Sequence, residues 1–322
     1  MKQSIPTLLA GVLGICGAAP ALAGTVAVEP SAPVIQTTTG GFEKARKPMT
    51  NPTMFDLAIP GTNVHPIFLY HNLPSTVNTT VGPLAMGGHV EVYALQFEIA
   101  FSERLSLVAT KDGYVRFRPD QPSLWTNQSG FANIAAGLKY AFIYDPENSF
   151  AVSGAATYEF PTGNHDVYQG EGNGVLNLIL STVKLWDNFQ VAASGGVRLP
   201  FDGQQSTNSF VSAHASYEVT PWFIPLVEVN WHSVLSAGNG RPNYFSQALG
   251  LTPVVATFEG NDLLNFGAAN ATQNRDLVTA AIGFRSRITD NITTGFAYEI
   301  PLTSENDSVI DDRFTLDLIW SF

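Results

Sequence analysis

Glu228, Asn230 and His232 occupy alternate positions of one short stretch, and His214 lies one segment earlier. A carboxylate and two imidazoles on one face could bind a metal or pass a proton. The other histidines, at positions 65, 71, 89 and 165, show no close ligand spacing. No Gly-x-Ser-x-Gly elbow for a nucleophilic serine occurs. Scattered polar residues lining a wetted interior are the simpler account, so no catalytic, cofactor or metal site is expected.

Twelve charges share the phase of those residues once each segment is treated as a strand. Glu98, Glu159, Glu218, Glu228, Glu299 and Asp317 are acidic, and Arg116, Arg118, Lys139, Arg198, Arg285 and Arg287 are basic. With His232 they are the candidate lining of a pore. Isolated buried charges cost several kcal/mol, so these must be paired or hydrated. That leaves a water-filled bore or a lumen partly closed by ion pairs. Glu159, Arg198 and Glu299 each precede by two residues the proline that ends their strand (Pro161, Pro200, Pro301). They are expected at a similar height, as a charged constriction that filters solutes or as pairing that ties the wall together.

The elements that must position these residues are strands. From residue 61 onward about twelve segments alternate apolar and polar residues, near 62–72, 88–100, 104–118, 130–142, 149–160, 173–184, 189–199, 208–218, 222–235, 276–287, 291–300 and 312–322. Most are about ten residues long, enough to cross a hydrocarbon layer as a tilted strand. Tight polar turns follow the even segments: Phe101-Ser-Glu-Arg-Leu105, Leu185-Trp-Asp-Asn-Phe189, Val219-Thr-Pro-Trp-Phe223 and Ile288-Thr-Asp-Asn-Ile292, with Tyr144 to Phe150 a longer version. Longer loops rich in Gly, Asn and Pro follow the odd segments, the longest at 236–275. Short turns at one end and long loops at the other belong to an up-and-down barrel of the outer membrane.

Composition agrees. Of 322 residues only 13% are charged, about half of the roughly 25% usual in soluble domains, so little of the outside is built for water. The net charge of −11 excludes nucleic acid as a partner, since phosphate neutralisation needs Lys and Arg. One face of the segments carries aliphatic residues in mid-strand and aromatic residues at the ends, as lipid contact demands. Phe150 to Phe160, Phe189 to Leu199 and Ile292 to Ile300 show this most clearly. The last residues, Arg-Phe-Thr-Leu-Asp-Leu-Ile-Trp-Ser-Phe, alternate to the final aromatic Phe322. Termini usually fray; this one is patterned as a closing strand.

Residues 1–23 read as a signal peptide: Lys2, an apolar run too short to span a bilayer, and an Ala21-Leu22-Ala23 cleavage site. Cys16, the chain's one cysteine, lies within it, and bulky Ile15 argues against lipidation there. Residues 24–60, rich in Pro and Thr, read as a flexible segment outside the main fold; a plug is the other possibility. The barrel is assigned to 61–322.

The stretches FSERLSLVATKDGY, SGFANIAAGLKYAF, SGAATYEFPTG, SGGVRLPFDG and ITDNITTGFAYEIPL resemble the outer-membrane barrel family labelled for the MetA pathway of phenol degradation, over about residues 88–322. The resemblance implies an outer-membrane transporter or channel, some members being linked to the breakdown of aromatic compounds. It brings no catalytic residues. The expectation is a monomeric all-β transmembrane antiparallel barrel of about twelve strands, exported to the outer membrane of a Gram-negative cell. It passes small solutes, hydrophobic or aromatic ones included, and is not an enzyme. Its partners are membrane lipid, those solutes, and the barrel-assembly machinery that meets the strand ending at Phe322. Two other readings are a lipid hydrolase, which needs a Ser–His pair within hydrogen-bond reach near the lipid-facing rim, and a structural barrel acting through its loops.

Overall fold

A strand with two unlike faces is stable only where each face meets its own medium, and closing the sheet supplies two media at once. In the computed structural model the chain closes in this way. The described residues are 41–79, 82–121, 127–170, 172–203, 205–236, 238, 275–305 and 310–322. The expected signal peptide and nearly all of loop 236–275 lie outside them.

The strands are β1 (Asn63–Asn72), β2 (Thr76–Thr79), β3 (Gly82–Ala85), β4 (His89–Ala100), β5 (Leu105–Lys111), β6 (Tyr114–Arg118), β7 (Gln128–Phe131), β8 (Ile134–Asp145), β9 (Phe150–Phe160), β10 (Val175–Trp186), β11 (Phe189–Pro200), β12 (Thr207–Tyr217), β13 (Ile224–Ser236), β14 (Asp276–Thr289), β15 (Ile292–Pro301) and β16 (Asp312–Ser321). β5 with β6, and β7 with β8, are interrupted halves of single staves, and β2 and β3 form a separate hairpin. The result is a closed antiparallel barrel of twelve staves. β1 seals it by pairing with β16 on one side and β4 on the other. The patterned C-terminus is used to its end, with the Phe322 amide donating to the Thr62 carbonyl at 2.9 Å.

Local chemistry sets the tight turns. Between β10 and β11 only Asp187 and Asn188 intervene, with Asp187 at φ 51°, the left-handed region that two-residue hairpins require and Asp tolerates. Burial alternates along the strands. On β16, Arg313, Thr315, Asp317 and Ile319 are buried, whereas Phe314, Leu316, Leu318 and Trp320 are exposed. Mid-strand Ile282 and Leu180 are 65% and 55% exposed. Side chains of this kind all around a wall identify the outer medium as hydrocarbon.

Among the described residues the register shifts in four strand pairings, and at one of them two site expectations fail. The β5–β8 register shifts between Ala109 and Lys111, and Gly113, at φ 129°, ends the break before β6. There the Leu95 amide donates to the Asp112 carboxylate at 2.7 Å. The slipped residue reverses the phase. Lys111, Val115 and Phe117 become the buried positions, while Arg116 and Arg118 face outward. Arg116 pairs with Glu91 at 2.8 Å, and Arg118 donates to the carbonyls of Phe117 and Gln128. Neither lines the bore. Val115 and Phe117 join Ile67, Leu69, Val90 and Val92 in an apolar cluster at the long-loop end, which includes Val167 and Tyr168 from the loop after β9.

Candidate functional site

The lumen holds a piece of the chain itself. Residues 41–60, the described part of the segment 24–60 expected to be flexible and outside the barrel, are largely buried; Met49 and Thr50 are 1% and 0% exposed. The correction has a physical basis: Pro/Thr-rich sequence is a poor strand former, but it needs few partners. Pro48, Pro52 and Pro60 have no amide hydrogen, so inward side chains of the wall can satisfy most of what remains.

Those contacts come from around the ring. Near the tight turns, Lys44 Nζ donates to Asn188 Oδ1 at 2.6 Å. The Gln190 side chain accepts from the Arg46 amide and donates to its carbonyl at 2.8 and 2.7 Å. Deeper in, Glu228 accepts from the amides of Met49 and Thr50 at 2.9 and 2.7 Å and from the Thr50 hydroxyl at 2.5 Å. Asn51, at φ 51°, turns the segment back, and the amides of Met54 and Phe55 donate to its carbonyl. Ser212 on β12, Ser194 on β11 and Gln96 on β4 bind this tip. On the return, Lys139 Nζ reaches Asp56 at 2.7 Å and the Leu57 carbonyl at 3.0 Å. Opposite, Arg285 donates to the carbonyls of Lys47 and Pro48. The base is apolar, with Phe42, Phe55, Ala58 and Ile59 packed on Ala151, Val183, Leu185 and Ala192.

Burial alone would push the Asp56 carboxyl up, but the ammonium groups of Lys139 and Lys47 outweigh it and hold the group well below its ordinary value. Burial brings the Arg46 guanidinium down to about 10, against the opposing pull of Glu218.

Most of the expected lining charges are buried inside, in separate groups. Glu98 meets Lys139 at 2.8 Å. Arg287 meets Glu218 at 3.0 Å, with Arg46 3.6 Å from the same carboxylate. Arg285 grips Asp317 with two bonds of 2.9 Å, and His65 Nε2 lies 2.7 Å from that carboxylate. Glu159 and Arg198 do meet, at 2.9 Å, with Lys111 and Asn133 completing the cluster. Glu299 does not join them; it binds Arg313 at 3.1 Å and Asn230 at 3.2 Å. The three charges ahead of the prolines therefore form no single ring. Sequence reasoning missed Arg313, which continues the phase of Thr315 and Asp317. It missed Lys111 because of the register slip.

His214 Nδ1 lies 2.7 Å from Glu228, and its Nε2 lies 2.9 Å from Ser216 Oγ, which accepts from Arg46 Nε at 3.0 Å. With Nδ1 protonated the order runs consistently from Arg46 through Ser216 and His214 to Glu228. A serine, a histidine and a carboxylate in that order suggest a nucleophile, but Arg46 covers the Ser216 hydroxyl, so here the relay holds the segment in place. His232 is half-buried two positions beyond Asn230, between Phe210 and Leu277. Among the described residues no group of three or more His, Cys, Asp or Glu could hold a metal ion.

A family model described as the MetA-pathway of phenol degradation matches residues 69–300, well over half of the chain. The chain belongs to that family. Within this MetA-pathway family the matched span covers nearly the whole wall, from within β1 to within β15, but not residues 41–60. No curated protein sequence matches the chain. An outer membrane channel from Pseudomonas putida F1 superposes with a TM-score of 0.57 at 14% identity, over 82% of this chain and 96% of that one. The NanC porin gives 0.47 at 7% identity, over 81% of this chain and 100% of that one. The first likeness shows a shared fold.

Proposed function

We propose that the protein is an outer-membrane channel for small solutes, hydrophobic or aromatic ones included, with residues 41–60 as its internal gate. One observation carries this reading. The wall holds the tip of the segment through side chains that water can also satisfy: Glu228, Asn230, Ser212, Ser194 and Gln96. When the tip leaves, the surface it uncovers is a hydrated lining and not a dry core. The family's description and the apolar clusters at both ends of the lumen support solutes with an apolar part. The exposed apolar band supports residence among lipids, and the strand ending at Phe322 supports handling by barrel-assembly machinery.

Planar-bilayer recording tests the reading. A variant lacking residues 41–60 is expected to give discrete conductance steps, larger and longer-lived than those of the intact chain. A folded variant that stays silent across a range of salt concentrations refutes it.

A further inference from the structure

With the segment seated, Ser216, His214 and Glu228 anchor it; with the segment gone, the same three residues form a reactive group. Ser216 and His214 stand two positions apart on the inward face of β12, and Glu228 lies opposite His214 on β13. His214 Nε2 is 2.9 Å from Ser216 Oγ, and its Nδ1 is 2.7 Å from Glu228. A hydroxyl within reach of an imidazole, itself oriented by a carboxylate on its far side, is how a serine nucleophile is activated. One guanidinium covers it: Arg46 Nε donates to Ser216 Oγ at 3.0 Å. A carbonyl already rests close by. Gln190, opposite Ser216 in register on β11, donates through Nε2 to the Arg46 carbonyl at 2.7 Å.

We infer that Ser216 is the nucleophile of a hydrolase centre in the lumen, uncovered when residues 41–60 swing aside, and that its substrates are short-chain carboxylic esters. Access to it rests on the gate proposed above. Ser216 Oγ bonds to the ester carbonyl carbon while His214 Nε2 takes the hydroxyl proton. Gln190 Nε2, released from Arg46, donates to the oxyanion. The carbon–oxygen bond to the alcohol then breaks, and His214 returns the proton to the leaving oxygen. Water, giving a proton to His214, attacks the acyl-serine; the acid leaves and the serine hydroxyl is restored. Glu228 touches no substrate; it holds His214 with Nδ1 protonated and offsets the charge that forms there. The surroundings set the substrate class. The Ser–His pair that a lipid hydrolase needs at the lipid-facing rim is present on the inside instead, where solutes in the lumen meet it and membrane lipid does not. Buried Leu226 is the register partner of Ser216 on β13. Arg46 also lines a cavity of about 170 Å³ at the tight-turn mouth, together with Leu57, Ile59 and Ile224, which has room for a short apolar acyl chain and not for a long one.

Diisopropyl fluorophosphate tests the site: its phosphorus bonds to Ser216 Oγ as fluoride leaves, and peptide mapping locates the adduct. In the detergent-purified full chain, Arg46→Ala is expected to label on Ser216 at least tenfold faster than the parent and to hydrolyse para-nitrophenyl acetate. Adding His214→Phe should slow both at least a hundredfold, and adding Ser216→Ala should abolish both. The charged groups around His214 are Glu228 from β13 and Arg46 from the segment, with Glu218 and Arg287 beyond Arg46. Because Glu228 acts through the imidazole, Glu228→Gln in the Arg46→Ala background should displace the pH profile of labelling, as loss of a mere strut would not. An unmoved profile removes Glu228 from the mechanism. Label in Arg46→Ala with none in the parent upholds the site and refutes the gate. No label on Ser216 in folded Arg46→Ala, nor in a folded chain lacking residues 41–60, makes the three residues purely structural and overturns the inference.

Discussion

Glu228→Ala tests the gate most directly. Glu228 accepts four hydrogen bonds, three of them from the segment: the Met49 amide, the Thr50 amide and the Thr50 hydroxyl. Hydrogen bonds to an ionised group contribute about 1.5–3 kcal/mol each. The space left by alanine is polar and admits water, which returns part of that loss. A net weakening of about 3–4 kcal/mol follows. Since each 1.4 kcal/mol is tenfold in an equilibrium constant, the seat should open roughly two to three orders of magnitude more often. Two assays read this. Single-channel recording should show the open time rise, and limited proteolysis should cut within residues 48–55 at rates at least a hundredfold higher. Glu228→Gln keeps the shape and one acceptor oxygen, and should fall between. Loss of the His214 partner is a separate effect, so His214→Phe with Glu228 intact is the control, expected to move cleavage by less than Glu228→Ala. If a correctly folded Glu228→Ala barrel is as silent and as protease-resistant as the parent, the segment is a permanent part of the core and the gate is refuted.

A Cβ on Gly295 would lie 2.3 Å from the Met49 Sδ. Gly295→Ala should be absorbed by a shift of that side chain, whereas Gly295→Val should dislodge the tip and raise conductance, and a silent folded Gly295→Val contradicts this. The depressed folded-state pKa of Asp56 means that its pairing with Lys139 and Lys47 stabilises fully above the unfolded carboxylate range and is lost as pH falls through the folded value. Cleavage near residues 55–60 should therefore stay slow from pH 7 to about 4. Asp56→Asn should speed it at pH 7, by an amount that shrinks in strong acid. Ile282, outward in mid-wall, should not tolerate lysine. About 2–4 kcal/mol is expected at a bilayer midplane, read as a lower yield of folded barrel in liposomes, and an unchanged yield would put Ile282 outside the hydrocarbon.

The wall was legible in the sequence because strand periodicity and turn chemistry are local. Trp186-Asp-Asn-Phe189 makes its own turn, and Phe314 to Phe322 states its own faces. What is not local was lost. One extra residue near Lys111 reverses every later position of that stave, and the slip shows only once β8 supplies the register. Residues 41–60 fail for the opposite reason. Their composition has no period and reads as coil, which is correct about secondary structure and silent about where coil goes. A hint was present: a short stretch holding Phe42, Met49, Met54, Phe55, Leu57 and Ile59 carries more apolar bulk than a solvated linker needs.

That bulk is distributed unevenly, and the distribution says which part of the segment can move. The tip, Met49 to Met54, is held mostly by hydrogen bonds that water can replace, so releasing it exchanges one set of partners for another at about 1 kcal/mol for each ordinary bond, with Glu228 the stronger hold. The base is held by Phe42, Phe55, Ala58 and Ile59 in a packed cluster, where exposing each large side chain costs about 1.5–3 kcal/mol with nothing to compensate. Full withdrawal must expose all of them; tip release exposes Met49 and Met54. On energetic grounds the gate swings from an anchored base and does not leave the barrel. A protease acting from the tight-turn side should then cut the tip many times faster than the bonds beside Phe42 or Phe55, and equal rates at both would mean that the whole segment leaves together.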